Sequence, residues 1–323
     1  MKLAMIYSFL KQDLAIIEEA VNETIQSDNI VLREASSQLL NAGGKRIRPV
    51  FVLLAGKFGD YQIDRMKAVA VSLELIHTAS LVHDDVIDEA EVRRGEPTIK
   101  SKWDNRIAMY TGDYIFARSL ENLSALNDPK AHQILAKTMV ELCLGEIEQI
   151  KDKYDVHQNL RQYLRRIKRK TAILIASSCR LGAIAAGVKE EEEMALYRYG
   201  YYVGMSYQII DDVLDFTESE EQLGKPAGSD LLQGNITLPV LITLYKDSEF
   251  KDDLTELFMK ENLEPYHMAG VIETIKSNGS IEKALQMSDR YLDKAYKALE
   301  TLPQNRAKQT LKGIAKYIGK RRA

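Results

Sequence analysis

The sequence predicts an all-α fold in a single domain that spans residues 1–323. Apolar residues recur at three- and four-residue spacing in segments 13–25, 131–154 and 281–302, as they do on one face of an α-helix. No stretch shows the sustained two-residue alternation of a half-buried strand. The chain has only seven prolines, and no low-complexity linker or shift in composition marks a domain boundary.

Glycine, proline and asparagine mark the expected ends of the helices. These breaks fall at residues 43–44, 95–97, 128–129, 187, 224–234, 278–279 and 303. The least polar long segment, residues 171–188, is interrupted by Arg180 and is rich in small residues. It therefore predicts a buried helix rather than a membrane span.

The bulk composition excludes several functional classes. The hydrophobic share of 45% is ample for a packed core, and the net charge of −3 gives no global attraction to nucleic acid or to an anionic membrane. The first residues lack the long apolar region of a signal peptide. Cys143 and Cys179 are isolated, which indicates a reducing compartment and predicts both thiols in the core. We expect a cytoplasmic protein with no nucleic-acid partner and no stable membrane insertion.

Two copies of the pattern Asp-Asp-x-x-Asp lie in apolar stretches. The carboxylates are Asp84, Asp85 and Asp88 in the first copy and Asp211, Asp212 and Asp215 in the second. On a helix, residues i and i+4 share a face, so the first and last carboxylates of each copy lie close together. One such pattern is usually a solvated helix face, but repelling charges in two apolar stretches call for a compensating cation. Carboxylate oxygens suit Mg²⁺, so the two clusters predict a clamp for a diphosphate with its magnesium ions.

Cationic side chains flank the first acidic motif. His77 lies within about 20° of Asp84 and Asp88 on a helical wheel, where its imidazole could bind a second anionic group. Arg93 and Arg94 follow the motif, and guanidinium groups make bidentate contacts with phosphate oxygens. A lone Arg-Arg pair is usually a solvated loop, but its position beside the carboxylates indicates a phosphate site.

Further candidate phosphate contacts lie at helix starts and in glycine-rich loops. Residues 43–49 lack the spacing of a P-loop, but their glycines with Lys45 and Arg48 predict a phosphate pocket. Lys170 and Thr171 stand at the head of an apolar helix, where both could reach an anion.

Two more candidates accompany the second acidic motif. Gln208 lies one turn before Asp211 on the same predicted helix face. Lys225 lies in the loop 224–230, which has a cation and room to close over a site.

Taken together, these residues resemble the trans-isoprenyl diphosphate synthases, over most of the chain. The segments that carry the resemblance are 43–49, 81–98, 112–119, 170–171, 207–216 and 224–239. Within the family, the chain especially resembles the large catalytic component (component II) of bacterial two-component heptaprenyl diphosphate synthases. This resemblance implies a helical bundle of the isoprenoid synthase type with a central apolar cavity. The chain departs from many relatives at Asn235, where they have lysine, and at Tyr207, where phenylalanine is common.

The resemblance implies a role for each candidate residue. Asp84, Asp88 and Asp211 would be the main Mg²⁺ ligands, and Asp85, Asp212 and Asp215 would support them. The diphosphate of isopentenyl diphosphate would be held by Lys45, Arg48, His77 and Arg94. The allylic diphosphate would be contacted by Arg93, Lys170, Thr171, Gln208 and Lys225.

The length of the product is implied by two small residues. Ser80 and Ala79 lie four and five residues before Asp84 and are expected to point into the cavity. In the resembled family, aromatic residues at these positions form a floor that stops growth early. Small residues imply a long product, although they could also be small only for helix packing.

The resemblance therefore implies a prenyl transferase that extends an allylic diphosphate, farnesyl diphosphate above all, with isopentenyl diphosphate. Heptaprenyl diphosphate for the menaquinone side chain is the expected product, and a small, non-identical subunit (component I) is the expected partner. The alternatives are a self-sufficient homodimeric hexaprenyl or octaprenyl synthase, a terpene cyclase, and a non-catalytic helical partner. A basic isopentenyl pocket would be superfluous in a cyclase, and a non-catalytic chain would be expected to lose site residues.

Overall fold

The computed structural model describes residues 3–41, 46–219, 226–260 and 263–321. These residues are helical almost throughout, which confirms the predicted all-α fold. They fall into two compact units. The first comprises Met1–Met139, Leu174–Tyr197 and Thr301–Leu311, and the second comprises Val140–Ile173, Arg198–Glu300 and Lys312–Ala323. The single domain expected from the sequence stays a prediction.

The first unit is organised around one long buried helix. Its opening α-helices are α1 (Leu3–Ile6), α2 (Lys11–Thr24), α3 (Ile30–Asn41), α4 (Ile47–Gly56), α5 (Ile63–Ile87), α6 (Ile99–Lys102) and α7 (Asn105–Leu123). α5 packs against α2, α4 and α7. Residues 68–76 of α5 are all buried, as expected for a helix that is surrounded on every side. The first acidic motif lies at the carboxyl end of this helix.

A short hairpin follows the first acidic motif. Strands β1 (Val92–Arg93) and β2 (Glu96–Pro97) pair antiparallel. The two loop residues, Arg94 and Gly95, have φ values of 56° and 84°. A two-residue loop with both φ values positive matches the type I′ turn, whose twist suits a hairpin. Strands of two residues are too short to show alternation, so the sequence pattern predicted only a break here.

The other α-helices of the described residues begin at Pro129. They are α8 (Pro129–Asp152), α9 (Leu160–Ile167), α10 (Ile173–Ala185), α11 (Glu190–Thr217), α12 (Ser229–Leu232), α13 (Leu238–Lys246), α14 (Ser248–Phe258), α15 (Ala269–Ser277), α16 (Ser280–Glu300) and α17 (Arg306–Lys320). Single 3₁₀ turns lie at Ser8–Leu10 and Pro265–Met268. The helices predicted over 13–25, 131–154 and 281–302 are confirmed to within two residues at each end as α2, α8 and α16.

The core of the second unit forms where α11, α13 and α16 pack together. Buried side chains from these helices include Phe216, Leu241 and Ala284. The second acidic motif lies in the last two turns of α11.

One turn of π-helix, Lys168–Ala172, links α9 to α10. A Cβ atom on Gly204 of α11 would lie 2.6 Å from the Cα atom of Ala172, so only glycine allows this close approach. The start of α9 is fixed by a reciprocal cap. The Asn159 side chain accepts from the backbone N–H of Gln162, and the Gln162 side chain accepts from that of Asn159. The backbone around Lys170 and Thr171 is thus held at both ends.

None of the described helices is both long enough and apolar enough to cross a membrane. Cys179 is buried in α10, as expected, but Cys143 is exposed on α8, so the prediction of a core thiol is wrong there. Cys143 lies on the solvent side of α8, beside the exposed Val140, Leu144 and Ile147.

Candidate active site

The first acidic motif forms the end of α5. The backbone N–H of Asp88 donates to the carbonyl of Asp84 at 2.8 Å, so the helical spacing continues to the last carboxylate. Asp84 and Asp85 are only 8% and 3% exposed. Arg93 approaches Asp85 with two nitrogens, at 2.7 Å from Nε and 2.6 Å from Nη2 to Oδ1. Burial raises the pKa of Asp85 despite this guanidinium, and the charges of Asp84 and Asp88 add to the effect.

The charges of nearby arginines act on His77, which lies two turns before the motif on α5. Burial lowers the pKa of His77 well below its usual value, and the charges of Arg48, Arg94, Arg93 and Arg46 lower it further. His77 is therefore neutral at pH 7 and can donate one ring N–H. The structure thus brings together three residues that the sequence assigned to isopentenyl diphosphate, Arg48, His77 and Arg94.

Arg46 is directed towards carboxylates. Its Nε and Nη2 atoms lie 2.7 and 2.8 Å from the two carboxylate oxygens of Glu18. Its Nη1 atom lies 3.1 Å from Oε1 of the buried Glu74. The backbone of Arg46 is left-handed, with φ of 44°, and it immediately precedes α4. These ion pairs fix the start of the helix that carries Arg48.

In the second acidic motif, Asp211 forms an ion pair with a distant arginine. The Nη1 atom of Arg321 lies 2.5 Å from Oδ1 of Asp211. The guanidinium carbon of Arg321 lies 5.2 Å from the ring centre of Tyr207. The sequence signalled Arg321 only through the basic run at residues 320–322.

Asp212 is buried and hydrogen-bonded at both oxygens. Tyr163 OH donates to its Oδ2 at 2.7 Å, and Gln208 Nε2 donates to its Oδ1 at 2.9 Å. Burial raises the pKa of Asp212 to about 7, although both donors oppose the shift. Gln208 was predicted on the face of Asp211, but its hydrogen bond goes to Asp212, one full turn away.

Asp215 holds the start of α12 and the residue before it. Its carboxylate accepts from the Ser229 hydroxyl at 3.3 Å and from the backbone N–H of Asp230 at 3.2 Å. Its backbone carbonyl accepts from the N–H of Gly228 at 2.8 Å. The last carboxylate of the motif therefore organises the chain that follows residues 220–225.

Lys170 and Thr171 lie on the π turn. Lys170 Nζ donates to Gln149 Oε1 at 2.9 Å and lies 3.3 Å from Glu146 Oε2. Thr171 Oγ1 donates to Gln208 Oε1 at 2.6 Å. The structure thus joins Thr171 and Gln208, both assigned to the allylic diphosphate. Lys45 and Lys225 lie outside the described residues.

The two residues expected to set product length lie on α5. Ala79 is fully buried, and Ser80 is half-buried, with its hydroxyl donating to the carbonyl of His77 at 2.8 Å. Ala79 therefore adjoins packed side chains, and a larger residue there would need new space.

The donor set fits a hard divalent cation, because carboxylate oxygens are the ligands that Mg²⁺ and Ca²⁺ take from proteins. Within the described ranges, no three His, Cys, Asp or Glu side chains converge as a ready-made cation site. Arg93 and Arg321 occupy oxygens of Asp85 and Asp211.

Comparison with known proteins tests the family. Residues 29–275 match the model of the family described as polyprenyl synthetase. The chain is 62% identical to heptaprenyl diphosphate synthase component 2 of Bacillus subtilis (strain 168), across 100% of this chain and 92% of that protein. This confirms the resemblance to the trans-isoprenyl diphosphate synthases and, within them, to the large component of heptaprenyl diphosphate synthase.

Similar solved structures support the same family. The heptaprenyl diphosphate synthase of Staphylococcus aureus has a TM-score of 0.91 and 42% identity, over 96% of this chain and 98% of that one. A polyprenyl synthase from Caulobacter crescentus CB15, complexed with calcium and isoprenyl diphosphate, has a TM-score of 0.92 and 31% identity, over 100% and 98%. The chain therefore belongs to the polyprenyl synthetase family.

Proposed function

We propose that this chain is a cytoplasmic, Mg²⁺-dependent trans-prenyl transferase. It condenses isopentenyl diphosphate onto an allylic diphosphate, farnesyl diphosphate, to give heptaprenyl diphosphate. The observation that carries the proposal is the group of guanidiniums around a neutral His77 beside a buried acidic motif. The name of the Bacillus subtilis relative supports the heptaprenyl product.

The arginine group suits a diphosphate. Guanidinium groups gathered around one imidazole repel one another, and an anion with several oxygens relieves that repulsion through bidentate contacts. A neutral His77 adds an N–H donor without further repulsion. Arg48, His77 and Arg94 would therefore hold isopentenyl diphosphate. Arg93, which also reaches Asp85, would turn to the allylic diphosphate.

Asp84, Asp88 and Asp211 would be the Mg²⁺ ligands. When bound, the metal would act as a Lewis acid that stabilises negative charge on the departing pyrophosphate. The calcium in the Caulobacter crescentus neighbour is consistent with a divalent cation in this family. Asp85, Asp212 and Asp215 each have partners in their own unit, so they would orient the site.

The protein's own contribution to the reaction is electrostatic and steric. Cationic side chains would hold both diphosphates, so that the allylic carbon meets the double bond of isopentenyl diphosphate. The allylic C–O bond breaks, the new C–C bond forms, and a proton passes to the released pyrophosphate. The apolar helices must exclude water, which would otherwise capture the allylic cation.

Substitution of Ala79 tests whether this residue sets the length of the product. Ala79→Phe places an aromatic ring at a buried position one turn below the first carboxylate and is expected to shorten the product. Because a large residue can overpack a core, Ala79→Leu provides a milder second variant. Chain length is read by chromatography of the dephosphorylated products. Unchanged length in both folded variants would remove Ala79 from the floor of the site.

A second chain is part of the proposal, because the Bacillus subtilis relative is called component 2. The surface that favours a partner is a stripe of exposed apolar side chains along α8 and just beyond it. Its members are Val140, Leu144, Ile147, Ile150 and Tyr154. An exposed apolar stripe of this kind marks a surface that another chain covers. The occupant we propose is the small, non-identical subunit.

One experiment tests the function. The purified chain is incubated with labelled isopentenyl and farnesyl diphosphates and Mg²⁺, with and without the candidate small subunit. We expect a heptaprenyl product only when both chains are present. Long products from this chain alone would indicate a self-sufficient homodimer, and a cyclised hydrocarbon would indicate a terpene cyclase. No consumption of farnesyl diphosphate in either arm would contradict the proposal.

A further inference from the structure

Four side chains in the second unit form a continuous hydrogen-bond network. Thr171 Oγ1 donates to Gln208 Oε1 at 2.6 Å, and Gln208 Nε2 donates to Asp212 Oδ1 at 2.9 Å. Tyr163 OH donates to the other carboxylate oxygen, Oδ2, at 2.7 Å. This network thus connects α9, the π turn and α11 through side chains alone. Its two outer members are a residue already assigned to the allylic diphosphate and a tyrosine with no assigned role.

The end of this network formed by Tyr163 and Asp212 is buried away from water. Tyr163 and Asp212 are 1% and 3% exposed. Burial and the neighbouring carboxylate keep the pKa of Tyr163 well above its usual value, so the phenol keeps its proton and remains a donor. A buried carboxylate that loses one of two donors must find another or turn towards one. The Tyr163 hydroxyl therefore fixes the rotation of the Asp212 carboxylate.

The orientation of Asp212 in turn decides which way the Gln208 amide points. A side-chain amide donates hydrogen bonds through its nitrogen and accepts them through its oxygen. Because Asp212 accepts from Nε2, Oε1 faces Thr171 and receives its hydroxyl proton. The amide nitrogen has two N–H groups, so the bond to Asp212 leaves one for an anion. Free rotation of Asp212 would let the amide turn over and present its oxygen instead.

The π turn in the backbone also affects the direction of the Thr171 side chain. The π turn adds a residue to the helix between α9 and α10, which shifts the direction of every side chain that follows. Thr171 lies within that turn, and its hydroxyl is tied to Gln208. π turns of this kind occur often at functional sites.

We propose that Tyr163 is a positioning residue for the allylic diphosphate. Through Asp212 it sets the amide of Gln208 with an N–H towards the substrate and holds Thr171 in place. This inference rests on the proposed prenyl transfer, and it adds to that function a residue outside the acidic motifs. Tyr163 itself does not touch the substrate.

Tyr163→Phe is the first test, because it removes the hydroxyl and keeps the ring that packs in the core. In the assembly that gives wild-type activity, we expect the KM for farnesyl diphosphate to rise about 3- to 10-fold, the loss of one hydrogen bond. The KM for isopentenyl diphosphate should stay within twofold of wild type. Tyr199→Phe is the matched control, since Tyr199 is also fully buried in the same unit and should change neither KM.

A double variant distinguishes positioning from general loosening. If Tyr163 acts through Gln208, Tyr163→Phe should add little to the KM of Gln208→Ala for farnesyl diphosphate. Additive effects, an equal rise in both KM values, or unchanged KM values in a folded Tyr163→Phe protein would each overturn the inference while leaving the prenyl transfer intact. An inactive wild-type protein would instead contradict the proposed function.

Discussion

The two acidic motifs have the same sequence pattern and different surroundings. In the first, Asp85 is held by the guanidinium of Arg93, and the charges of four arginines act on His77, which lies on the same helix as Asp85. In the second, Asp212 receives its hydrogen bonds from the neutral donors Tyr163 and Gln208. The first motif therefore has charged partners close by. The second contains a carboxylate whose pKa, about 7, is high because it is buried.

This difference shows what a motif can and cannot specify. The spacing of the aspartates fixes which carboxylates share a helix face. Their charge state depends on burial and on partners that the spacing does not contain. The proposed metal ligands are Asp84, Asp88 and Asp211, whereas the middle carboxylates of the two motifs have different partners. Asp85 orients an arginine, and Asp212 orients an amide.

The largest expected effect tests whether the two motifs contribute equally. Asp84→Asn and Asp211→Asn should each lower kcat by about 1,000-fold, since a metal contributes several kcal/mol to charge stabilisation in a transition state. The matched control is Asp64→Asn, at the exposed start of the same helix as Asp84, where the side chain is 88% exposed. Steady-state kinetics with saturating Mg²⁺ provides the measurement. A loss below tenfold in either motif would show that its outer carboxylate is not a metal ligand.

An intermediate effect concerns stability against pH. The pKa of Asp212 is about 7 in the folded protein, against an ordinary value of 3.8, so between these pH values the folded state binds more protons. The contribution of the Asp212 carboxyl to the free energy of unfolding is therefore greatest at low pH and declines as the pH rises to about 7. Asp212→Asn cannot ionise. Without Mg²⁺, its stability relative to wild type should therefore increase between pH 3.8 and about 7, by about 1.4 kcal/mol for each pH unit, and stay constant above that range.

Asp85→Asn provides the contrast in the same urea titrations. Burial also raises the pKa of Asp85, but the Arg93 guanidinium opposes the shift, so the gain in stability at pH 8 should be smaller than for Asp212→Asn. A larger gain for Asp212→Asn than for Asp85→Asn would confirm the difference between the motifs. No gain for Asp212→Asn at pH 8 would mean that Asp212 is ionised and well solvated.

The smallest expected effect concerns the ion pair at Asp211. Arg321 occupies an oxygen that a metal would need, and both side chains are partly exposed. Because a pair of this exposure contributes about 0.2–1 kcal/mol, Arg321→Ala should tighten the binding of Mn²⁺, used as a probe for Mg²⁺, by up to about fivefold. Paramagnetic resonance of free Mn²⁺ measures this directly, with the exposed Lys320→Ala as the control. Weaker binding in Arg321→Ala would mean that the arginine supports the metal site.

The sequence was sufficient to predict the helices and to name the candidate residues, whose roles stay predictions. Apolar periodicity marked α2, α8 and α16 because it records which face is buried. The partners of the motif residues were not predictable, because they depend on how distant segments meet. Arg321 lies 110 residues from Asp211, and Tyr163 lies 49 residues from Asp212. The π turn and the hairpin are single turns, too short to leave a periodic pattern.

Arg46 and Arg94 have left-handed backbones, with φ of 44° and 56°. This conformation costs a residue with a side chain about 1–2 kcal/mol more than glycine. Arg46 also forms ion pairs with Glu18 and the buried Glu74, and glycine at that position would lose them. At Arg94, glycine would relieve the backbone cost, but it would also remove a positive charge that acts on His77. Selection for heat resistance alone would favour glycine at position 94, and selection for turnover would restore arginine. Thermostable variants with glycine at position 94 should bind isopentenyl diphosphate poorly.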